Sequence, residues 1–236
     1  MLCLDFDGVL CDSIDECFVA GFNSYFNAGI ATPDLAPAAL YQYFCRFRYL
    51  VGPAENFYLL FHAFEHGAPD LDRENFALLQ AASVTARREF EASFFERRSL
   101  LKQAGFAQWL ALHRLYRESS AVLRSDFPNF YVVTTKDRAS VEQIAAHHGY
   151  AGKLLGIYSK ELSSDKRILF RNLYQQTGID SVRQRVIFVD DNRMHLEQVK
   201  SLVSECYLAG WGYTGPVAER EFPVLPSLDQ FISTMP

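Results

Sequence analysis

No stretch of this 236-residue chain is both long enough and apolar enough to cross a bilayer. Paired cysteines are missing too. The five that occur, Cys3, Cys11, Cys17, Cys45 and Cys206, are odd in number and form no CxxC pair. Disulfide scaffolding and a thiolate zinc site are therefore without support. Positive charge is not in excess: 23 Lys and Arg against 28 Asp and Glu give a net charge of −5. Affinity for a phosphate backbone needs clustered basic side chains, so nucleic acid is not expected as the main partner. No apolar segment precedes Asp5 and Asp7, so no secretory leader is expected. The reading is a protein of the reducing cytoplasm with no membrane partner, as a monomer or homodimer. The six histidines, including the His147-His148 pair, show no ligand spacing and read as surface or helix-end residues.

Apolar side chains are plentiful. Hydrophobic residues make up 49% of the chain, with 20 Phe among them, enough to build a packed interior. Leu2-Cys3-Leu4 is a short apolar run that stops at Asp5-Phe6-Asp7-Gly8, the pattern of a buried strand running into a turn. From about Ser13 to Tyr116 there is no β-branched run. Apolar residues instead recur at helical spacing: Phe18, Phe22, Tyr25 and Phe26, then Phe57, Leu60, Phe61 and Phe64, then Phe76, Leu79, Phe90, Phe94 and Phe95. This segment is predicted to be all-helical, with the aromatics as its own core. The paired arginines Arg87-Arg88 and Arg97-Arg98 read as solvated helix faces.

Beyond it strand and helix patterns alternate. Phe130-Val133, Leu154-Tyr158, Val186-Val189 and Cys206-Ala209 are strand-like. Helices are predicted over 139–148 and 165–177, stopped by Gly149 and Gly178, and over 194–202. Gly210, Gly212 and Gly215 read as loosening the chain after the last strand. Such alternation implies right-handed crossovers and a doubly wound α/β fold, a parallel sheet with helices on both faces. The expected organisation is an α/β core of residues 1–13 and 117–236 with an inserted helical cap of residues 14–116.

Three apolar runs end in polar side chains at the same relative place: Leu4 before Asp5, Val133 before Thr134, and Val189 before Asp190. In a parallel sheet these strand ends share one edge, where open α/β folds bind ligands. Asp5, Asp7, Asp190, Asp191, Thr134 and a nearby lysine are thus expected to converge. Four clustered carboxylates repel unless a cation offsets them. Oxygen-only donors favour Mg²⁺, which also binds substrate phosphate. Thr134 and the lysine would hold the remaining phosphoryl oxygens, so the site suits phosphoryl transfer. Asp190 or Asp191 could also serve as the cap of the helix beginning near Arg193.

Asp5-Phe6-Asp7-Gly8-Val9-Leu10-Cys11-Asp12-Ser13 closely resembles the DxDG[TV] opening motif of the haloacid dehalogenase superfamily. Thr134 is similar to its second motif, a lysine before a helix to its third, and Asp190-Asp191-Asn192 to its acidic fourth. The insert falls where that family carries a helical cap. The resemblance implies a phosphatase in which Asp5 becomes an aspartyl phosphate and Asp7 is the general acid and base. It implies a metal held by Asp5, the Asp7 carbonyl and Asp191, with Asp190 acting through water. Phosphate binding falls to Gly8, Thr134, Thr135 and a lysine. Lys166 is preferred over Lys160 for that role because it starts a predicted helix. Arg48, beside Val51-Gly52-Pro53, is a candidate for a second anionic group on the substrate, against a plainer reading as a solvated arginine. The expected substrate is a small phosphorylated metabolite. A phosphomutase and a non-catalytic binding protein of the same fold are the alternatives.

Overall fold

The computed structural model describes residues 1–68, 70–216 and 222–232. The chain begins with β1 (Leu2–Leu4) and the short β2 (Cys11–Asp12). Six helices follow: α1 (Ile14–Tyr25), α2 (Ala38–Phe47), α3 (Phe57–Glu65), α4 (Arg73–Ala82), α5 (Val84–Ala104) and α6 (Phe106–Ala111). Then come β3 (Arg114–Leu115), β4 (Phe130–Val133), α7 (Arg138–His148), β5 (Leu154–Tyr158) and α8 (Lys166–Thr177). The chain continues through β6 (Ile187–Asp190), α9 (Arg193–Val199), β7 (Glu205–Ala209), β8 (Val224–Leu225) and α10 (Leu228–Ile232). Two compact units result: Met1–Asp12 with Arg114–Pro236, and Ser13–His113.

The first unit is built on a six-stranded sheet ordered β5-β4-β1-β6-β7-β8, every pairing parallel. β1 is central, and Leu4 lies level with Val132 on one side and Val189 on the other. A strand covered on both faces has no polar face to show, which is why Leu2, Cys3 and Leu4 are all buried. Cys3, Val133, Phe170, Phe188, Leu196 and Leu208 belong to one core cluster of this unit. The chain runs outward from β1 through β4 to β5, then returns to β6 on the opposite side of β1. The strand order thus reverses beside β1, the switch point at which open sheets of this type form their crevice.

Helix ends are set by side chains and glycines. Asp137, Asp165 and Asn192 each accept a hydrogen bond of 2.9 Å from a first-turn amide, capping α7, α8 and α9. The cap of α9 is therefore Asn192, not Asp190 or Asp191. Gly149 and Gly178 close α7 and α8 at φ 84° and 68°, a conformation that a Cβ disfavours. β2 and β3 form a two-stranded antiparallel ribbon, Cys11 opposite Leu115 and Asp12 opposite Arg114. That ribbon was not expected, because two-residue strands carry no periodicity.

The helical unit packs Phe18, Phe44, Phe57, Phe61, Phe90 and Phe94 into its own core. Several buried polar groups interrupt it. Glu16 on α1 receives a two-pronged bond from Arg98 on α5, at 2.6 and 2.8 Å, and Trp109 Nε1 donates to it at 3.4 Å. Two arginines read as solvated are therefore interior: Arg98 pairs with Glu16, and Arg87 is buried with bonds to Glu55 and Asn56. Arg48 is interior too. Its guanidinium donates to Val51 O at 2.9 Å and lies 5.0 Å from the Phe57 ring centre. Helical spacing marks which face a residue occupies but cannot reveal a partner that completes a buried ion pair.

Candidate active site

Asp5 is the first residue past β1. Its backbone N–H continues the sheet by donating to Val189 O at 2.9 Å, and its carboxylate is buried at the crevice. Thr134 directly follows β4, Asp190 is the last residue of β6, and both are buried as well. The Thr134 N–H donates to Tyr158 O, while its hydroxyl oxygen accepts from the Lys136 N–H at 3.2 Å. Thr135 is half-buried beside it.

Lys166, the first residue of α8, has an entirely buried ammonium. It lies 2.9 Å from Asp5 Oδ1, donates to Asp190 Oδ2 at 2.9 Å, and donates to Val133 O at 2.7 Å. The contact with Asp5 Oδ1 is at ion-pair distance but off hydrogen-bond alignment, so that buried oxygen accepts no hydrogen bond among the described residues. Of the two lysines considered for this role, Lys166 reaches Asp5 and Asp190. Lys160 follows β5, and its N–H donates to Lys136 O at 3.3 Å.

The charges shape one another. Burial alone would lower the Lys166 pKa, but the carboxylates of Asp190 and Asp5 outweigh it and hold the ammonium above its usual value. Burial and the neighbouring Asp190 charge push the Asp5 carboxyl up, against the pull of Lys166 and His195. For Asp190 burial acts in the same upward sense, yet Lys166 and His195 win and hold it well below the ordinary range.

Asp7 lies two residues beyond Asp5 and is only partly buried; both its oxygens face Lys136 Nζ, at 3.1 and 3.3 Å. Gly8, at φ 83°, makes the turn that follows. A Cβ there would collide with the Asp191 carboxylate, so the glycine is what lets Asp191 lie against the motif loop. Asp191 Oδ2 also accepts from the Tyr213 N–H at 2.7 Å. The loop after β7 is pinned here rather than loosened. Trp211 Nε1 donates to Val9 O at 2.9 Å, the Tyr213 hydroxyl donates to Asp12 Oδ1 at 2.8 Å, and Gly212 leaves no room for a Cβ against the Gly8 carbonyl.

Two neighbours escaped the sequence reading. Lys136 could have been marked as the charged residue in the Thr134-Thr135-Lys136-Asp137 turn that leads from β4 into α7. His195 is not a surface histidine: it is buried on α9, and its Nδ1 lies 3.2 Å from Asp190 Oδ2. Asp5, Asp190 and His195 together place three potential ligand atoms within 4.8 Å of one another. No sequence spacing announced that group, because its members come from β1, β6 and α9. Arg48, in the helical unit, is bonded to that unit's own loop as described.

The α/β unit is a parallel sheet with carboxylates and lysines gathered on its strand-end edge. The chain belongs to the haloacid dehalogenase-like hydrolases, whose family model matches residues 1–197. No curated protein matches it by sequence. Among solved structures it resembles a predicted phosphoglycolate phosphatase from Haemophilus somnus 129pt, with 14% identity, a TM-score of 0.64, and 99% of this chain and 96% of that one covered. A predicted phosphatase from Clostridium acetobutylicum is similar at 18% identity and TM-score 0.61, over 98% and 95% of the two chains. So is protein tyrosine kinase A of Mycobacterium tuberculosis, at 17% identity and TM-score 0.61, over 98% and 95%. Likeness at this level speaks for the fold alone, and the range of printed activities illustrates that one fold serves different chemistries.

Proposed function

We propose that this hydrolase is a Mg²⁺-dependent phosphatase of small phosphorylated metabolites, with Asp5 as nucleophile and Asp7 as general acid and base. The observation that carries the reading is the partition of charge at the strand ends. Asp5 and Asp190 share Lys166, Asp7 faces Lys136, and Asp191 is held by a main-chain N–H. Four carboxylates and two ammoniums leave two negative charges, which a divalent cation offsets.

The donor set fits such an ion. Its atoms are hard oxygens, and Asp5 Oδ1 is a buried carboxylate oxygen with no aligned hydrogen bond. Asp5, the Asp7 main-chain carbonyl and Asp191 would hold Mg²⁺, with Asp190 behind them, already engaged by Lys166 and His195. When bound, the ion supplies charge that draws the phosphoryl group to Asp5 and steadies the negative charge that develops.

Asp5 Oδ would attack phosphorus as the P–O bond to the leaving alcohol breaks, while Asp7 protonates that oxygen. Asp7 would then take a proton from the water that cleaves the aspartyl phosphate. Thr134, Lys166, Thr135 and the Gly8 turn would hold the phosphoryl oxygens. Lys166 adds no flexibility to this frame, since both carboxylates and a carbonyl fix its ammonium.

The test is a panel of phosphate monoesters with Mg²⁺, read as inorganic phosphate released. Asp5→Asn should abolish turnover and EDTA should suppress it. Wild-type rates in Asp5→Asn would overturn the nucleophile assignment, and full activity in EDTA the metal requirement.

A further inference from the structure

The pairing of Asp7 with Lys136 goes beyond the phosphatase reading and rests on its assignment of Asp7. Lys136 is a buried lysine, two residues past the end of β4, whose backbone is tied on both sides. Its N–H donates to Thr134 Oγ1 at 3.2 Å, and its carbonyl accepts from the Lys160 N–H at 3.3 Å. From that fixed base its ammonium reaches across to β1's turn and straddles both Asp7 oxygens, 3.1 and 3.3 Å away. The centre of the Phe6 ring lies 5.9 Å from Nζ.

We propose that Lys136 is a positioning residue for the acid–base carboxylate: its ammonium fixes the direction of the Asp7 side chain. The chemistry follows from the near-symmetric fork. An ammonium cannot accept a proton-bearing oxygen as donor. When one Asp7 oxygen is protonated, its hydrogen must point away from Lys136, while the other oxygen keeps its bond. The O–H is thereby aimed outward. As the Asp5–P bond forms and the ester P–O bond breaks, the proton passes from that oxygen to the leaving alkoxide, and Asp7 returns to the full fork as an anion. In that state it accepts the proton of the attacking water. Lys136 touches no reacting atom in this scheme; it acts only through Asp7.

The test compares Lys136→Met and Lys136→Arg with wild type on two probes, p-nitrophenyl phosphate and glycerol phosphate. The nitrophenolate leaves with little help from an acid, whereas an alkoxide needs the proton. Lys136→Met should lower kcat for glycerol phosphate about tenfold or more beyond its effect on p-nitrophenyl phosphate, with KM little changed. Lys136→Arg, which can also straddle a carboxylate, should recover much of the loss. Equal losses on both probes, or a raised KM at constant kcat, would overturn the proposal. Asp7→Asn separates it from its parent. If Asp7→Asn shows no leaving-group bias, the acid–base assignment itself fails. If Asp7→Asn shows the bias and Lys136→Met does not, only the role of Lys136 fails. A crystal structure of Lys136→Met, or of Lys136→Gln if the methionine does not fold, gives a readout free of turnover. Asp7 should change rotamer while Asp5, Lys166 and Asp190 stay in place, and an unmoved Asp7 would reject the idea.

Discussion

At the scale of single residues, the carboxylate pair around Lys166 behaves oppositely on its two sides: Asp5 is pushed up by burial, and Asp190 is held down by Lys166 and His195 despite burial. The sign for stability follows. A carboxylate whose folded pKa lies below its unfolded value contributes stability above the unfolded value, about pH 4 for Asp, and loses it as pH falls toward the folded value. Measured in EDTA by urea unfolding, the wild type should therefore lose stability below about pH 4 more steeply than Asp190→Asn, by up to about 1.4 kcal/mol per pH unit. Parallel acid limbs in the two proteins would contradict this. Much of the site is legible in the amino-acid sequence for a simple reason: Asp5, Thr134 and Asp190 each terminate an apolar run, and parallel strands carry such termini to one edge. Lys136 and His195 are not legible in that way. One projects from a turn and the other from a helix, and their reach depends on loop geometry that no periodicity encodes.

Elements of this chain are bounded by caps that could be read in advance and joined by contacts that could not. Gly178 ends α8 in the left-handed region at φ 68°, with no atom within 4 Å of where a Cβ would stand. Replacement by Ala there tests backbone strain without a clash, and should destabilise the protein by about 1 kcal/mol. Gly152, which also faces open space and does not require that backbone region, should tolerate Ala with little change. Urea denaturation of both variants checks the contrast; similar losses would show that the cap glycine carries no strain. The Glu16–Arg98 pair lies at the other extreme. Its residues are 82 positions apart, and on helices each looks like an ordinary charged position. Only the folded unit reveals that both are interior and that each leaves the other as its main electrostatic partner. Removing one member of a buried pair strands the other's charge, which is why such a pair is hard to infer and hard to alter.

Considered as a whole molecule, the α/β unit is assembled from two distant pieces of chain, because its central strand comes from residues 2–4 and both flanking strands from beyond residue 129. That split was readable from the helical character of the intervening hundred residues. The ribbon of β2 and β3 was not. Its pairing of Asp12 with Arg114, fastened by a 3.0 Å ion pair, brings the departing and returning chain side by side within the α/β unit. Substituting a short Gly-Ser turn for residues 13–113 should therefore leave a folded α/β unit with a cooperative thermal transition by circular dichroism. Loss of that transition would show that the sheet depends on the helical unit. Deleting residues 1–12 should abolish folding, since it removes the middle of the sheet. Partners in an antiparallel ladder stand roughly 5 Å apart, so the sheet treats everything between Asp12 and Arg114 as a single loop of fixed mouth. Any guest segment whose own ends meet at that separation could be grafted in its place, making this junction a natural port for exchanging one accessory domain for another.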